Sequence, residues 1–514
     1  MSEQRYRLHW VTAIIETLKA AKEAILPLVV LLFANGRRDW NTGLWYIDYL
    51  SFLILGGLII LLSVSGLIKW LRFQYWFEDD ELRIESGLFV RKKRYIPFER
   101  IQSLDYTEGI FHRPFKLVKV NVETAGSSSL KKSEGELTAI TKEAARQIEQ
   151  HMAEAKRKRK QPMAEDLVND DPFYEETVEA VKEKAQKVFA LTSKDLFILA
   201  TTSGGIGVIL SGVAIFLSQF GELIPYEWIF DEFASFVKFG VLIVGLIVFA
   251  GIVGVWILSV IMTFFSYYGF TVTLEDDDIV ITRGLLEKKR VTVPLKRVQS
   301  VSVIQNPLRQ PFGYASVSIH SAGGGVGDGA KINLFPLVKK NVVQESLEAI
   351  FPNYHFEEPT TKLPKRGKAF FYRIDFLWML PVIGALAYFF FPYGLLSLLI
   401  IPAIIAFGLW QYRSGAYAIY DSQLTMRFRG ISLQTAYMTK RRIQSLEMKQ
   451  SYFNKRKQVA TIVASAKSGM GQHRGIIHFM EEGEAERILS WYEKRTVQNA
   501  VPLLHVKDES LEGE

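Results

Sequence analysis

Long stretches without a charged side chain constrain this chain more than any other feature, because they are apolar enough to cross a lipid bilayer. A membrane-spanning helix needs about 20 apolar residues. Three stretches meet this requirement as single helices: Leu50 to Ile68, Leu196 to Phe220 and Phe239 through Ile261. A fourth, Phe376 to Trp410, is too long for one helix. Phe391-Pro392-Tyr393-Gly394 is expected to divide it into two spans, because Pro and Gly interrupt helices.

One further span is predicted at Ala24 to Asn35. It is short for a span and is expected to include the last turn of the helical segment before it. That segment, Arg5 to Glu23, has apolar residues at helical spacing with charged residues between them. This pattern predicts an amphipathic helix that lies at the membrane interface and runs into the bilayer. The total is six spans, arranged as three hairpins.

The distribution of charge predicts the orientation of these spans. The basic run Lys156-Arg157-Lys158-Arg159-Lys160 follows the first soluble segment, whereas the loop between the third and fourth spans carries acidic residues such as Glu222 and Asp231. Lys and Arg concentrate in the cytoplasmic loops of membrane proteins. The sequence therefore predicts a multi-pass protein with both termini and all three soluble segments in the cytoplasm.

One pattern occurs three times, each time after a predicted hairpin. Arg100-Ile101-Gln102-Ser103 returns as Arg297-Val298-Gln299-Ser300 and as Arg442-Ile443-Gln444-Ser445. The first two copies keep a constant offset of 197 residues, which also relates Gly87 to Gly284. A constant offset means the same strands and loops without insertion, so the chain is predicted to use one unit three times.

Each soluble copy predicts short β-strands followed by one helix. Val118, Val120 and Val122 alternate with polar residues, which is the period of a strand with one buried face. Helical patterns then end the copies at Thr141 to Met152, Leu337 to Ile350 and Glu482 to Lys494. The predicted fold class is an α+β membrane protein with six transmembrane helices and three small β-barrel or sheet domains, each closed by a C-terminal helix.

The predicted domain limits follow from these elements. They are an N-terminal amphipathic helix over 1–23, membrane hairpins over 24–72, 196–266 and 372–411, β-rich domains over 73–152, 267–352 and 412–495, linkers over 153–195 and 353–371, and a tail over 496–514.

Four short motifs of the first copy carry a resemblance to a known family. Glu81-Leu82, Gly87-Leu88, Ile96-Pro97 and Arg100 to Ser103, with their counterparts in the second copy, resemble the bacterial pleckstrin-homology-like (bPH2) membrane proteins. The resemblance implies PH-like domains, a place in the bacterial plasma membrane, and a smaller membrane protein with a single PH-like domain as a partner. It implies no catalytic residues.

The repeated Arg-x-Gln-Ser motif allows two interpretations. A guanidinium and an amide could contact a ligand, or strand-end residues could hydrogen-bond a neighbouring loop. We favour the structural role, because buried or edge polar groups need partners in any case. The motif residues concerned are Arg100, Gln102, Ser103, Arg297, Gln299, Ser300, Arg442, Gln444 and Ser445.

Basic clusters near the motif are candidate contacts for anionic lipid or for a protein partner. Near an anionic membrane surface each Lys or Arg contributes about 1 kcal/mol. The alternative is that these loops are basic only because they lie on the inner side of the membrane, and the two interpretations are compatible. The candidates are Arg91, Lys92, Lys93, Arg94, Lys288, Lys289, Arg290, Lys440, Arg441 and Arg442.

No arrangement of residues predicts catalysis, a metal site or a cofactor. The chain has no Cys, and its eight His residues do not follow the spacing of a metal site. The loop Gly323 to Gly329 lacks the Lys-Ser/Thr pair that a phosphate-binding loop requires, so it is predicted to be a hairpin tip. Nucleic acid is not an expected partner, because no nucleic-acid-binding motif accompanies the basic clusters.

Two functions remain open from the sequence. The first is a non-enzymatic membrane scaffold whose PH-like domains bind a membrane partner, anionic lipid or one another, in envelope maintenance or antimicrobial defence. The second is a transporter or lipid-handling protein in which the six helices form a conduit. The absence of charged residues near the middle of the five longer spans favours the first.

Overall fold

A computed structural model describes residues 5–22, 50–87, 90–124, 135–160, 186–203, 241–325, 329–469 and 471–498 of the chain. The predicted first span, most of the third span and the C-terminal tail lie outside these described residues. The chain forms two compact units, Met1–Arg297 with Gly323–Gly329 and Val298–Ala322 with Ala330–Glu514.

Seven strands recur in the same order in each of three repeats. The first repeat has β1 Tyr6–Arg7, β2 Gln74–Glu78, β3 Glu81–Ser86, β4 Lys92–Pro97, β5 Ile101–Glu108, β6 Leu117–Thr124 and β7 Gly135–Thr141. The second has β8 Gln186–Ala190, β9 Thr271–Glu275, β10 Asp278–Arg283, β11 Lys288–Pro294, β12 Val298–Gln305, β13 Tyr314–Gly325 and β14 Gly329–Lys339. The third has β15 Thr361–Lys362, β16 Ala416–Tyr420, β17 Gln423–Arg429, β18 Leu433–Thr439, β19 Ile443–Lys449, β20 Val459–Ser468 and β21 Gly471–Glu481.

A helix closes each repeat, as the sequence predicts. The described helices are residues 11–22, Leu50–Arg72, Lys142–Lys160, Ser193–Thr202, Val241–Tyr267, Lys340–Glu348, Phe370–Phe389, Ile400–Ser414, Tyr452–Arg456 and Glu482–Gln498. Lys142–Lys160, Lys340–Glu348 and Glu482–Gln498 are the three closing helices. The Gly-rich loop joins β13 to β14, as expected of a hairpin tip.

The sequence predicts six membrane-spanning helices, and the described residues contain part of this set. Among the described residues there are three helices that are long and apolar enough to cross a membrane, Phe249–Tyr267, Lys365–Phe389 and Tyr393–Ser414, and not six. The second predicted span forms the 23-residue helix Leu50–Arg72, with Lys69 and Arg72 in its last turn. The split at Pro392 is as predicted, because one helix ends at Phe389 and the chain resumes with a 3-10 turn at Tyr393.

Of the two predicted alternatives, a barrel or a sheet, the described strands form sheets, and no closed barrel forms among them. Four open sheets form, with the orders β1-β2-β3-β4, β7-β6-β5-β11-β10-β9-β8, β14-β13-β12-β18-β17-β16-β15 and β19-β20-β21. The physical reason is that β5 hydrogen-bonds β11 of the next repeat and β12 hydrogen-bonds β18 of the next repeat. The edge that would close a barrel within a repeat is therefore used to join two repeats.

Each predicted membrane hairpin lies between two strands that are adjacent in a sheet. In the third repeat, Thr361 and Lys362 before the hairpin pair with Tyr417 and Ala416 after it. β1 pairs with β2 and β8 with β9 in the same antiparallel way. Both ends of every hairpin are thus fixed by main-chain hydrogen bonds, a feature that the sequence pattern did not predict.

The first and third repeats each enclose a hydrophobic core between their strands and the closing helix. In the first repeat Leu82, Val120 and Ile148 are completely buried. In the third, Leu424 and Ile488 are at most 1% exposed. Burial of a side chain of this size stabilises the fold by about 1.5–3 kcal/mol.

The N-terminal segment is only partly the interfacial helix that its pattern predicts. It begins as strand β1, and the side chains of Leu8 and Val11 are 3% and 2% exposed among residues of the first repeat. Trp70 donates its indole N–H to the carbonyl of Leu8 over 2.8 Å. Half of the predicted apolar face therefore packs on protein, while Ile14 and Leu18 stay exposed.

Candidate interaction surfaces

The repeated Arg-x-Gln-Ser motif lies at the same irregularity in all three repeats. The pairing register shifts between Ile101 and Ser103, between Val298 and Ser300, and between Ile443 and Ser445. The glutamine of each motif is the extra residue of a β-bulge, which bends the strand and changes where its side chains point. This position agrees with a structural role for the motif, which stays a prediction.

Two junctions between repeats are built in the same way. At the first junction, β11 pairs with β5, and Lys288, Lys289 and Arg290 lie opposite Glu108, Thr107 and Tyr106. At the second junction, β18 pairs with β12 in the same register, so that Leu433 lies opposite Gln305. Glu108 and Gln305 are 197 residues apart, and Lys288 and Leu433 are 145 residues apart, so the same repeat positions meet at both junctions. The chain therefore uses one edge-to-edge contact twice.

Buried polar groups support the first junction. The Asp105 carboxylate, which is 5% exposed, accepts a hydrogen bond of 3.1 Å from the backbone N–H of Thr292. Arg297 lies 3.3 Å from the carboxylate of Glu123. Ser103 donates to the same carboxylate over 3.1 Å. Two residues of the repeated motif thus converge on Glu123, one from each repeat.

A pair of stacked histidines occupies the corresponding place at the second junction. The rings of His320 and His473 are 3.8 Å apart. Nδ1 of His473 lies 2.9 Å from the Ser300 hydroxyl, and Nε2 lies 3.2 Å from the Ser302 hydroxyl. Burial lowers the pKa of His320 to about 3 and that of His473 to about 4. Both imidazoles are therefore neutral at neutral pH.

Sequence reasoning missed this pair because the two histidines belong to different repeats. The only available signal is positional, since His320 has the same place in its repeat as Glu123. The pair has no third ligand for a metal ion, because no group of three His, Cys, Asp or Glu with suitable geometry occurs in the part of the chain that is described.

The first basic cluster is open to solvent. Lys92, Lys93 and Arg94 lie in β4 and are exposed. Arg91 precedes the strand and forms an ion pair with Glu85, although its side chain is still 67% exposed. This cluster can meet lipid or a partner.

The second basic cluster lies at the first junction. Arg290 lies 2.9 Å from the carboxylate of Glu275, and Lys289 lies 3.8 Å from that of Glu287. Lys288 and Arg290 line a cavity of about 440 Å³ that also contains Glu108. Because three acidic residues offset most of the charge of the four basic residues that line this cavity, it is a weaker candidate for anionic lipid than the first cluster.

The third basic cluster is not equivalent to the other two. Lys440, Arg441 and Arg442 follow β18, whereas the positions that correspond to Lys288 and Lys289 are Leu433 and Gln434. Lys440 is used within the domain, since its ammonium group contacts the carbonyl of Trp491 and lies 5.2 Å from the centre of that ring.

Exposed apolar side chains occur in the loop after the fifth strand of each repeat, that is, after β5, β12 and β19. Sequence reasoning did not identify them. Phe111 is 52% exposed, Leu308 64% and Phe453 69%. The three share one place, because the offsets of 197 and 145 relate them. Ile110, Phe312 and Tyr452 are exposed in the same loops. We call these segments, residues 109–116, 306–313 and 450–458, the apolar loops.

Two apolar loops lie next to the base of a membrane span. Arg429 donates to the amide oxygen of Gln310 over 2.9 Å, and its guanidinium lies 3.9 Å from the ring centre of Trp410 in the last span. Arg366, just before the span that begins at Phe370, donates to Gln458 over 2.7 Å. These contacts hold the two loops beside the ends of the apolar helices.

Comparison with known proteins agrees with this architecture. The family model described as Bacterial PH domain matches residues 23–156, 213–350 and 377–496, one match for each repeat. The chain is 35% identical over 505 residues to the transmembrane protein YdbT of Bacillus subtilis (strain 168), and the alignment covers 96% of this chain and 98% of that protein. The resemblance predicted from the sequence is confirmed.

Proposed function

This chain belongs to the bacterial PH domain family, and we propose that it is a non-enzymatic membrane scaffold whose PH-like domains bind one another and the anionic lipid of the cytoplasmic leaflet. The observation that carries the proposal is the repeated strand pairing, in which β5 binds β11 and β12 binds β18. Main-chain pairing of this kind fixes domains rigidly side by side. The chain thereby anchors domains that pair with one another to one membrane.

Lipid contact is assigned to the apolar loops together with the first basic cluster. The loops carry basic residues beside the exposed rings, for example Arg113 beside Phe111 and Lys455 beside Phe453. Apolar side chains with flanking Lys or Arg suit the interface, where the former enter the acyl region and the latter meet phosphate. A cell-envelope or antimicrobial-defence role follows if the scaffold holds a further membrane protein there.

The lipid contact is tested with full-length protein in nanodiscs of phosphatidylglycerol or of phosphatidylcholine. An environment-sensitive dye is attached to Cys introduced by Lys455→Cys, which is the only Cys of the variant because the chain has none. We expect a blue-shifted emission in phosphatidylglycerol that salt and the substitutions Tyr452→Ser and Phe453→Ser both reduce. The matched control is the dye on Lys296→Cys, an exposed position outside the apolar loops.

Equal emission from Lys455→Cys in the two lipids, with no response to salt, would exclude a contact of this loop with anionic lipid. Partner binding is tested separately by purification from native membranes. Recovery of no other membrane protein and no enriched lipid class contradicts the scaffold role. Lipid transfer between vesicles by the purified protein would support the conduit instead.

A further inference from the structure

Two strands lie at sheet edges although their equivalents in the other repeats are paired on both sides. β4 ends the sheet β1-β2-β3-β4, whereas its equivalents β11 and β18 each join a further strand. β19 ends the sheet β19-β20-β21, whereas its equivalents β5 and β12 each join β11 or β18. Among the described strands, β4 and β19 are therefore the two halves of a further junction, and neither has its partner.

Side-chain exposure shows the same asymmetry. Tyr95 in β4 is 54% exposed, and Tyr437, its equivalent in β18, is 4% exposed. Glu447 in β19 is exposed, whereas the equivalent residues Asp105 and Ser302 are 5% and 1% exposed. Arg100 is also exposed, while its equivalent Arg297 contacts Glu123 of the preceding repeat. Positions that are covered at the two internal junctions are open at the ends.

Exposed strand edges are templates for pairing with another chain, and proteins normally block them. β4 is six residues long and contains neither a bulge nor an internal proline, since Pro97 is its last residue. β19 has its only register shift at its first residues, and Leu446 to Lys449 are regular. Neither edge is blocked by a bulge or an internal proline at these residues, although Lys92, Lys93 and Arg94 are charged side chains of the kind that oppose pairing at an edge.

We propose that β4 of one copy of this chain pairs antiparallel with β19 of a second copy, in the register of the two internal junctions. Transfer of that register places Lys92 opposite Lys449, Lys93 opposite Met448, Arg94 opposite Glu447 and Tyr95 opposite Leu446. Such a contact is head-to-tail, so it generates a ring or an open row of chains. The proposal deepens the scaffold role and rests on it, because it names the protein partner as a second copy.

The chemistry of the transferred register favours pairing. At the first junction the Asp105 carboxylate accepts from the N–H of Thr292. In the proposed contact between two copies, Glu447 and Tyr95 take these two positions. A carboxylate is therefore again available for the backbone N–H, here that of Tyr95. The tyrosine also meets an apolar partner, as Tyr437 meets Val301 at the second junction. Cross-strand pairs of these kinds stabilise a sheet.

One pair opposes association. Lys92 and Lys449 are both basic, whereas the first junction has Lys289 opposite the neutral Thr107. Like charges directly opposite each other destabilise a sheet. The contact between copies is thus weaker than the internal junctions, and we expect Lys449→Glu to strengthen it.

The test is disulfide cross-linking in native membranes with the full chain. The substitutions Lys92→Cys and Lys449→Cys are placed in separate copies and expressed together. We expect an oxidant to produce a disulfide-linked dimer only when both copies are present, and a ladder of multimers when one chain carries both substitutions. Glu447→Arg serves as the disrupting change, because it replaces the carboxylate opposite Arg94 by a second positive charge, and it should reduce the linked fraction several-fold.

Two controls make the result decisive. The internal pair Thr107→Cys and Lys289→Cys occupies the equivalent place at the first junction and must link within one chain. The pair Lys92→Cys and Met448→Cys is one residue out of register and must not link. No link between copies while the internal pair links, a link within one chain, or a link to a different protein would each overturn the proposal. Such a result leaves the lipid contact of the apolar loops unaffected, because the nanodisc assay measures that contact independently.

Discussion

At the residue scale, the stacked His320 and His473 make the second junction sensitive to acid. Both pKa values lie well below the ordinary 6.5, chiefly through burial, and Lys331 lowers them further. Between pH 6.5 and about 4 the unfolded chain binds protons that the folded pair does not. Stability is therefore complete above pH 6.5 and falls as the pH decreases through this window.

Hydrogen exchange of β12 and β20 measures this effect. We expect faster exchange at about pH 5.5 than at about pH 7.5, after correction for intrinsic rates, and a loss of the difference in His320→Gln with His473→Gln. His355→Gln is the control, because His355 is an exposed histidine outside the pair. An unchanged difference in the double variant would show that other groups cause the pH response.

The ion pair at the first junction predicts a large effect of a single substitution. The side chains of Arg297 and Glu123 are 13% and 6% exposed. Arg297→Met deprives a buried carboxylate of its cation and should destabilise the junction by roughly 3 kcal/mol. Adding Glu123→Gln should recover most of this loss. Local unfolding of β5 and β11 by hydrogen exchange measures both values.

Lys296→Met is the matched control for that prediction, because Lys296 is adjacent to Arg297 and 82% exposed in its pair with Asp277. An exposed ion pair contributes about 0–1 kcal/mol. Equal losses for Lys296→Met and Arg297→Met would mean that burial of the Arg297 pair has no consequence.

At the element scale, the sequence predicts the strands better than their partners. The constant offset from Gly87 to Gly284 and the alternation at Val118 to Val122 are local properties of the chain, and they predict the repeats and their strands. The partner of β5 depends on the edge of another repeat, which has no periodic signature. This is why the sequence did not decide between a barrel and a sheet and why β1 and β15, each only two residues long, are missed.

The same limit applies to the candidate surfaces. Arg100 and Arg297 share one motif with Arg442, but their surroundings differ, because Arg297 contacts Glu123 of the preceding repeat whereas Arg100 is exposed. The basic clusters were identified by composition, and composition does not separate the exposed Lys92 from Lys288, which lies opposite Glu108. Exposure, pairing and neighbouring charge come from the fold.

The turn between the third and fourth strands of each repeat should tolerate a glycine-to-alanine substitution in the third repeat but not in the first two. Gly87 and Gly284 have φ values of +137° and +104°, and a Cβ at either position would overlap the carbonyl oxygen of Val90 or Glu287. Gly284→Ala should therefore destabilise its hairpin by roughly 1–3 kcal/mol. At Gly430 a Cβ meets open space, so Gly430→Ala should be nearly neutral. Thermal unfolding in detergent compares the two, and equal midpoints would contradict the prediction.

At the scale of the whole molecule, the proposed cytoplasmic position of the PH-like domains has a direct consequence for chemical labelling. Lys455 is exposed in an apolar loop, and Tyr393 is 81% exposed in the turn between the last two spans. Because both spans around that turn are apolar and Arg366 lies at their base, the turn and the loop should face opposite sides of the membrane.

A membrane-impermeant maleimide added to intact cells or protoplasts should label Tyr393→Cys and leave Lys455→Cys unlabelled. After permeabilisation both variants should react to a similar extent, and the chain without Cys should react in neither case. Labelling of Lys455→Cys in intact cells would place the third domain outside the cytoplasm and remove the anionic leaflet as its lipid partner.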